Sequence, residues 1–89
     1  MYKSIHQEPR FSKVFKTRIK KDRKLYNLFI EAMEDFPDYR KNWGDHKLSG
    51  GMVGLRSLVI DDDCRLIYKE TNKSYIFIDI GTHEQVYKK

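Results

Sequence analysis

Two histidines and one arginine are side chains whose types suit proton transfer and anion binding: His46, His83 and Arg65. An imidazole with an ordinary pKa of about 6.5 can donate or accept a proton at neutral pH. Arg65 stands in a run rich in Leu, Ile and Tyr, where a charge is costly without an anionic partner. Phosphate suits the guanidinium fork, and an ion pair with Asp63 or Asp79 is the alternative.

Histidine and cysteine side chains can also bind metal ions. The residues that could act as ligands are His6, His46, Cys64 and His83. Their spacings fit no zinc pattern, and Cys64 lies in a strand-like run. The glycines at 50, 51 and 54 are not followed by a helix, so no phosphate-cradling loop is predicted. We therefore expect neither a metal nor another cofactor.

The first half of the chain predicts two helices that carry no candidate chemistry but form one side of the core. Pro9 suits the first turn of a helix whose apolar face is Phe11, Val14, Phe15 and Ile19. Asp22 is a plausible N-cap for a second helix. Its apolar residues recur at helical spacing until Pro37: Leu25, Leu28, Phe29, Ala32, Met33 and Phe36. The short connection predicts an αα-hairpin.

The second half predicts the strands that position the candidate residues. We expect strands over 53–60, 64–70 and 75–80, with turns at 61–63 and 71–73. Residues 2–7 predict a short strand, residues 38–52 a loop, and residues 82–89 a tail with one helical turn. The order predicts a single α+β domain over residues 1–89, with an N-terminal strand, an α-helical hairpin and a three-stranded antiparallel meander.

Strand alternation assigns side chains to faces of this predicted sheet. Arg65 shares a face with Ile67 and Lys69, away from Leu66 and Tyr68. Arg56 shares a face with Leu58 and Ile60, which should point toward the helices. In the last strand, Ile76, Ile78 and Ile80 should share one face.

Composition narrows the classes of partner. The chain has 89 residues with a formal net charge of +5, and a basic surface favours polyanions, nucleic acid first among them. Residues 13–24 hold seven Lys or Arg, which suits either docking on ribosomal RNA or a merely solvated helical surface. A single cysteine, no signal-like N-terminus and no long apolar run lead us to expect a cytoplasmic protein without membrane contact.

Three motifs in the second half resemble a known group of proteins. Residues 45–50, Asp-His-Lys-Leu-Ser-Gly, followed by Gly-Leu-Arg at 54–56, resemble a stretch of the YafQ-like toxins. Residues 65–68, Arg-Leu-Ile-Tyr, resemble a strand of the RelE/YoeB group, and Gly-Thr-His at 81–83 with Val86 and Tyr87 is similar to the close of YafQ-like toxins. The chain thus resembles the RelE/ParE superfamily of type II toxin–antitoxin systems over residues 45–87.

The resemblance implies a ribosome-dependent endoribonuclease that cleaves mRNA in the A site without a metal. It implies His83 as general acid, His46 as candidate base and Arg65 as phosphate-binding cation. Asp63 matches a family catalytic aspartate, which could assist His46 or orient a histidine. The alternative is that Asp63 is only part of a solvated acidic turn. Tyr87 matches a family aromatic that contacts the substrate nucleobase or shapes the site, although a role in covering the core is equally open.

Three further cations are expected to bind substrate. These are Lys47, Arg56 and Lys69, although alternation favours a structural role for Arg56.

One departure from the family pattern favours another reading. YafQ-like toxins often carry an aspartate and a histidine where this chain has Ser57 and Val59. The alternative is therefore a non-catalytic binding module on the same fold, either a ParE-like gyrase inhibitor or a degenerate toxin that binds only an antitoxin or the ribosome. The alternative for His83 is a surface histidine near the C-terminus, and for His46 a solvated loop histidine. A third reading, a general RNA-binding domain, would explain only the charge.

The partners implied are a cognate antitoxin, the ribosome and mRNA, with no small-molecule cofactor. The antitoxin should be acidic where it meets this basic chain. It should cover His83 and Arg65 or displace Tyr87.

Overall fold

A computed structural model describes residues 3–87 of the chain as one five-stranded mixed sheet with helices on both faces. The strands are β1 (Ser4–Gln7), β2 (His46–Lys47), β3 (Arg56–Asp61), β4 (Cys64–Glu70) and β5 (Ser74–Gly81), and the helices are α1 (Pro9–Arg18), α2 (Arg23–Asp35) and α3 (His83–Tyr87). Single 3₁₀ turns cover Arg40–Trp43 and Gly50–Met52. The outermost parts of the predicted first strand and tail, at residues 2 and 88–89, lie outside the described residues.

The sheet confirms the predicted meander and the predicted N-terminal strand, and it adds one short strand, β2, at the other edge. Its order is β1-β5-β4-β3-β2, with β1 parallel to β5 and the other neighbours antiparallel. β2 falls within the predicted loop, because a strand of two residues is too short to show alternation. The first meander strand begins at Arg56 rather than at residue 53, since a 3₁₀ turn and Gly54 at φ 92° precede it.

The helical hairpin forms as predicted and covers one face of the sheet. Asp22 caps α2, because its carboxylate accepts the Leu25 N–H at 3.2 Å. The ring centroids of Phe15 in α1 and Phe29 in α2 are 4.8 Å apart, and Phe11 stacks beside them. α1 packs on β5 and α2 on β3. Within residues 3–87, no helix is long and apolar enough to cross a membrane.

A β-bulge in β5 contradicts the predicted face of the last strand. Ile67 pairs with Asp79 and Tyr68 with Phe77, so Ile78 is the additional residue. Tyr75, Phe77 and Ile80 are consequently buried in the helix-side core, whereas Ile76 and Ile78 are only half-buried. The prediction that the three isoleucines share a face is wrong, because strict alternation does not allow for the added residue.

The opposite face of the sheet is only partly covered. Ser57 of β3 and Ile67 of β4, which pair across the strands, are both buried there. The short helix α3 packs against β4 and β5 and buries its Val86. The rest of this face remains open to solvent. The helical turn predicted near the end of the chain is α3, and it borders this open part of the face.

Candidate active site

An open pocket of about 400 Å³ gathers four of the residues that the sequence singles out: His46, Arg65, His83 and Tyr87. Leu48, Ser49 and Met52 complete its lining. The register of the sheet explains the grouping, because His46 pairs with Ser57 and Arg65 with Val59, on the face away from the hairpin. α3 then brings His83 and Tyr87 to the same place.

The conformation of His46 favours one tautomer of its imidazole. The side chain is exposed, and Nδ1 lies 2.9 Å from the carbonyl oxygen of Gly44. A carbonyl can only accept, so in the neutral ring Nδ1 carries the proton and Nε2 keeps its lone pair. Gly44 adopts φ 63°, a left-handed conformation that glycine tolerates best. The arrangement leaves Nε2 as the atom able to take a proton.

His83 is positioned by the start of α3. Thr82 and Gln85 form a reciprocal capping box: the Gln85 N–H donates to Thr82 Oγ1 at 3.1 Å, and the Thr82 N–H donates to Gln85 Oε1 at 2.8 Å. The His83 N–H donates to Asp63 Oδ1 at 3.0 Å. Asp63 therefore contacts the backbone of His83, and its link to the imidazole is through the helix terminus.

Tyr87 stands one helical turn after His83 and closes the pocket. The two rings meet edge-on, with centroids 4.5 Å apart. The Tyr87 hydroxyl donates to Oγ of Ser57 at 2.9 Å. Ser57, fully buried, thus provides a polar partner for the tyrosine where the family pattern often has an aspartate.

Arg65 is held by main-chain carbonyls. Its Nη1 donates to the carbonyl oxygens of Asp61 at 2.9 Å and Asp62 at 3.0 Å. No carboxylate of residues 3–87 lies within 4.0 Å of it, and Asp79 instead interacts with Arg10 and Arg18. The alternative ion pair is therefore absent from the described residues. Among the described residues, the positive charge of Arg65 at the pocket has no carboxylate counterion.

The three predicted substrate-binding cations are not in this pocket. Arg56 faces the helices, as alternation predicts, and donates to Asp45. Lys47 and Arg56 pair across β2 and β3 and line a separate pocket of about 500 Å³. Lys69 is exposed on β4 and lines neither pocket.

Val59 supports the loop that carries His46. A Cβ added to Gly44 would lie 3.0 Å from Val59 Cγ2, so the backbone of the loop rests closely on this side chain. The residue that replaces a family histidine therefore has a packing role here. Arg65, its cross-strand neighbour, projects a charge into the same part of the face.

A buried carboxylate next to His46 was not recognised in the sequence. The Asp45 side chain is only 3% exposed, and it accepts hydrogen bonds from Arg56 and from the Tyr68 hydroxyl. Burial alone would raise the pKa of Asp45, but these hydrogen bonds and the nearby Arg56 and Arg40 charges lower it below the usual value. A basic residue on the helix-facing side of β3 was the available signal, since it requires a buried acid.

The described side chains provide no cluster suited to metal binding. Within residues 3–87, no three His, Cys, Asp or Glu side chains come together as a ligand group.

Comparisons with known proteins agree on the fold. YafQ from E. coli strain BL21(DE3) superposes with a TM-score of 0.75 at 25% identity, covering 97% of this chain and 99% of that chain. YafQ in the E. coli DinJ-YafQ toxin-antitoxin complex gives 0.74 at 26% identity, covering 98% and 99%. The YoeB-YefM complex from Staphylococcus aureus gives 0.72 at 16% identity, covering 93% and 99%, which shows the fold alone. No curated protein sequence matches significantly.

The sheet order, the hairpin and the short last helix define a toxin with a RelE-like fold. Residues 3–88 match the family model described as the bacterial toxin of type II toxin-antitoxin systems, YafQ. The chain belongs to this YafQ toxin family.

Proposed function

We propose that this toxin is a ribosome-dependent endoribonuclease that cleaves mRNA in the A site by acid–base chemistry. The observation that carries the proposal is one open pocket in which two exposed histidines, a tyrosine and an arginine converge, the arginine having no carboxylate partner among residues 3–87. An RNA phosphodiester needs this set of groups for transfer to its own 2′-hydroxyl: a base, an acid and a cation.

The reaction forms a bond between the 2′ oxygen and phosphorus and breaks the bond from phosphorus to the 5′ oxygen. His46 Nε2 takes the proton of the attacking hydroxyl, because Nδ1 is committed to the Gly44 carbonyl. His83 donates a proton to the departing 5′ oxygen. The products are a 2′,3′-cyclic phosphate and a free 5′-hydroxyl, so atoms and protons balance without a co-reactant.

Arg65 stabilises the charge that develops on the phosphoryl oxygens. Its Nη1 is anchored on two carbonyls of the 61–63 turn, so the guanidinium is held in place before substrate arrives. Asp63 orients His83 by accepting the N–H at the start of α3. The ring of Tyr87, next to His83, stacks on an unstacked nucleobase of the mRNA.

Docking on the ribosome would use the basic tract of residues 13–24. Six of its seven cations are exposed: Lys13, Lys16, Lys20, Lys21, Arg23 and Lys24. The seventh, Arg18, instead binds Asp79 and the Ile80 carbonyl. Contacts of this kind to RNA phosphates weaken as salt rises.

An antitoxin is the second partner that we propose. Solved complexes of relatives pair YafQ with DinJ and YoeB with YefM. An acidic segment that covers Arg65 and His83 would neutralise the exposed cation of the pocket and block substrate together.

Cleavage of a message positioned on purified ribosomes tests the proposal. Wild type should cut in the A site, and His83→Ala should lose about 100-fold or more, as is typical when a general acid is removed. His6→Ala is the matched control, since His6 is an exposed histidine on β1 outside the pocket. It should cleave like wild type.

The non-catalytic binding module remains the second candidate, because Ser57 and Val59 leave two positions of this face uncharged. If folded wild-type protein binds ribosomes without cutting, that candidate replaces the enzyme, and inhibition of gyrase is the next assay.

A further inference from the structure

We infer that Asp45 is a positioning residue for His46, acting through a buried hydrogen-bonded junction with Arg56 and Tyr68. The inference rests on the proposed function in one respect only, the role of His46 as the base. The geometry of Asp45 itself is independent of the reaction.

The junction joins three elements of the helix-side core. Asp45 Oδ2 accepts from Arg56 Nη2 at 2.5 Å, and Oδ1 accepts from Arg56 Nε at 3.4 Å and from the Tyr68 hydroxyl. Tyr68 is fully buried, and its ring packs edge-on against Phe36 with centroids 5.3 Å apart. The packing of the ring fixes the position of the Tyr68 hydroxyl, and this hydroxyl in turn fixes the Asp45 carboxylate.

A second layer of charges surrounds the junction. Arg40 Nε lies 3.8 Å from Asp45 Oδ2, and its Nη2 lies 3.2 Å from Glu70 Oε1. Lys3 completes the chain with a contact of 2.6 Å to Glu70 Oε2. Both carboxylates of this network, Asp45 and Glu70, thus have a cationic partner, as a carboxylate taken out of water requires.

His46 depends on this junction because the strand that carries it is very short. β2 has two residues, and its ladder consists of the pairs His46–Ser57 and Lys47–Arg56. Successive residues of an extended chain point to opposite faces. With Asp45 drawn into the core, His46 must project from the other face, toward Arg65 and His83.

The same anchoring holds the Gly44 carbonyl in position. Gly44 directly precedes Asp45, and its oxygen accepts from His46 Nδ1. If Asp45 leaves the core, the carbonyl and the imidazole move independently, and the Nδ1–H tautomer loses its partner. An exposed histidine without such a partner prefers the proton on Nε2, the atom that the base must keep free.

The test is Asp45→Asn, measured by the ¹⁵N shifts of the His46 ring and by kcat and KM on ribosomes. We expect the tautomer to change from Nδ1–H to Nε2–H and kcat to fall about 10- to 100-fold with little change in KM, since a displacement of about 1 Å can cost that much. Asp22→Asn is the matched control: it removes the same charge from a carboxylate that accepts the Leu25 N–H at 3.2 Å at the start of α2, where asparagine caps a helix about as well as aspartate does. It should leave both measurements unchanged.

Tyr68→Phe keeps the test decisive if Asp45→Asn fails to fold. It removes one hydrogen bond to Asp45 and leaves the charges in place. A smaller change of tautomer in the same direction supports the inference. A folded variant, either Asp45→Asn or Tyr68→Phe, with a wild-type His46 tautomer overturns it, as does an equal effect from Asp22→Asn. If His46→Ala cleaves normally, the proposed base is wrong, while the tautomer still reports on Asp45.

Discussion

At the scale of single residues, main-chain atoms connect the acidic turn to the pocket. The carbonyls of Asp61 and Asp62 hold the Arg65 guanidinium, and the carboxylate of Asp63 accepts the backbone N–H of His83. The turn therefore holds Arg65 and the backbone of His83 through oxygen atoms that accept hydrogen bonds. This role depends on the conformation of the turn more than on the negative charge of its aspartates. An amide in place of the Asp63 carboxylate could accept the same hydrogen bond.

This difference gives a test of Asp63. Asp63→Asn keeps an oxygen that accepts the His83 N–H, so we expect cleavage close to that of wild type. Asp63→Ala removes the acceptor, and loss of such a cap costs about 1 kcal/mol, which should displace α3 and lower kcat about 10-fold or more. Ribosomal cleavage by the two variants is the measurement. Equal losses in both would instead indicate that the carboxylate takes part in proton transfer.

Cys64 provides a second test at this scale, because it reports on the closure of the same turn. Its thiol is 1% exposed, and burial, with a contribution from the Asp61 charge, raises its pKa from 9.0 to about 11. The two-unit difference makes the thiolate roughly 100-fold scarcer at about pH 8.

We therefore expect the folded protein to react slowly with a thiol-specific disulfide reagent and rapidly once denatured. Cys64 is the only cysteine of the chain, so the signal is unambiguous. Rapid labelling of the folded protein would mean that the turn carrying the Arg65 anchor opens readily.

At the scale of elements, the pairing of β3 with β4 brings Arg65 beside Val59. YafQ-like toxins often have a histidine on β3 at this position, whereas this chain has the cation Arg65 on β4, directly across the ladder. Side chains of a directly opposed pair lie about 5 Å apart at Cβ. A guanidinium from either strand can therefore reach the same part of the pocket.

An exchange of the two residues tests this equivalence. Arg65→Leu should lose about 100-fold or more in cleavage, because it removes the cation proposed to stabilise the phosphate. The double variant Val59→Arg, Arg65→Leu should recover part of that loss. Recovery is limited because the new arginine lacks the carbonyl anchors of the turn and replaces the valine on which Gly44 rests. No recovery in a well-folded double variant would contradict the equivalence.

Long, periodic elements were the predictable part of the fold. The two helices with their cap at Asp22 and the strand over 64–70 follow from patterns several turns or residues long. β2 and the bulge at Ile78 are features of one or two residues, and they depend on pairing partners that are distant in the chain. Local patterns carry no information of that kind.

The site was predictable to a similar extent. His46, Arg65, His83 and Tyr87 were selected from residue type and family resemblance, and the structure brings them together. Their positioning contacts were not, because the bond from Asp63 to a backbone N–H and the junction at Asp45 join positions 20 and 11 residues apart. Only the folded chain shows that such positions meet.

At the scale of the whole molecule, the charges are divided by function. Exposed cations of residues 13–24 carry the proposed RNA contact, whereas Lys3, Arg40 and Arg56 are paired with buried or half-buried carboxylates. The second group contributes to folding, and its acids should govern how the stability of the protein responds to pH.

Glu70 gives the clearest prediction of how the free energy of unfolding depends on pH. The hydrogen bond from Lys3, together with the Arg40 charge, lowers its pKa against the opposing effect of burial. The Asp45 pKa is also lowered. A carboxyl whose pKa is lower in the folded state stabilises the fold above its unfolded pKa, and this contribution is lost as the pH falls through the folded value. The free energy of unfolding should therefore decrease below about pH 4.5, the ordinary value for Glu70.

Urea unfolding of wild type, Glu70→Gln and Glu84→Gln between about pH 7 and pH 3 measures this contribution. Glu70→Gln should be less stable than wild type at neutral pH, and its stability should fall less steeply with acid, because the ion pairs with Lys3 and Arg40 are already gone. Glu84 is exposed at the start of α3 and pairs with no cation within residues 3–87, so Glu84→Gln should follow wild type. Parallel curves for wild type and Glu70→Gln would place the acid sensitivity elsewhere, with Asp45 as the next residue to replace.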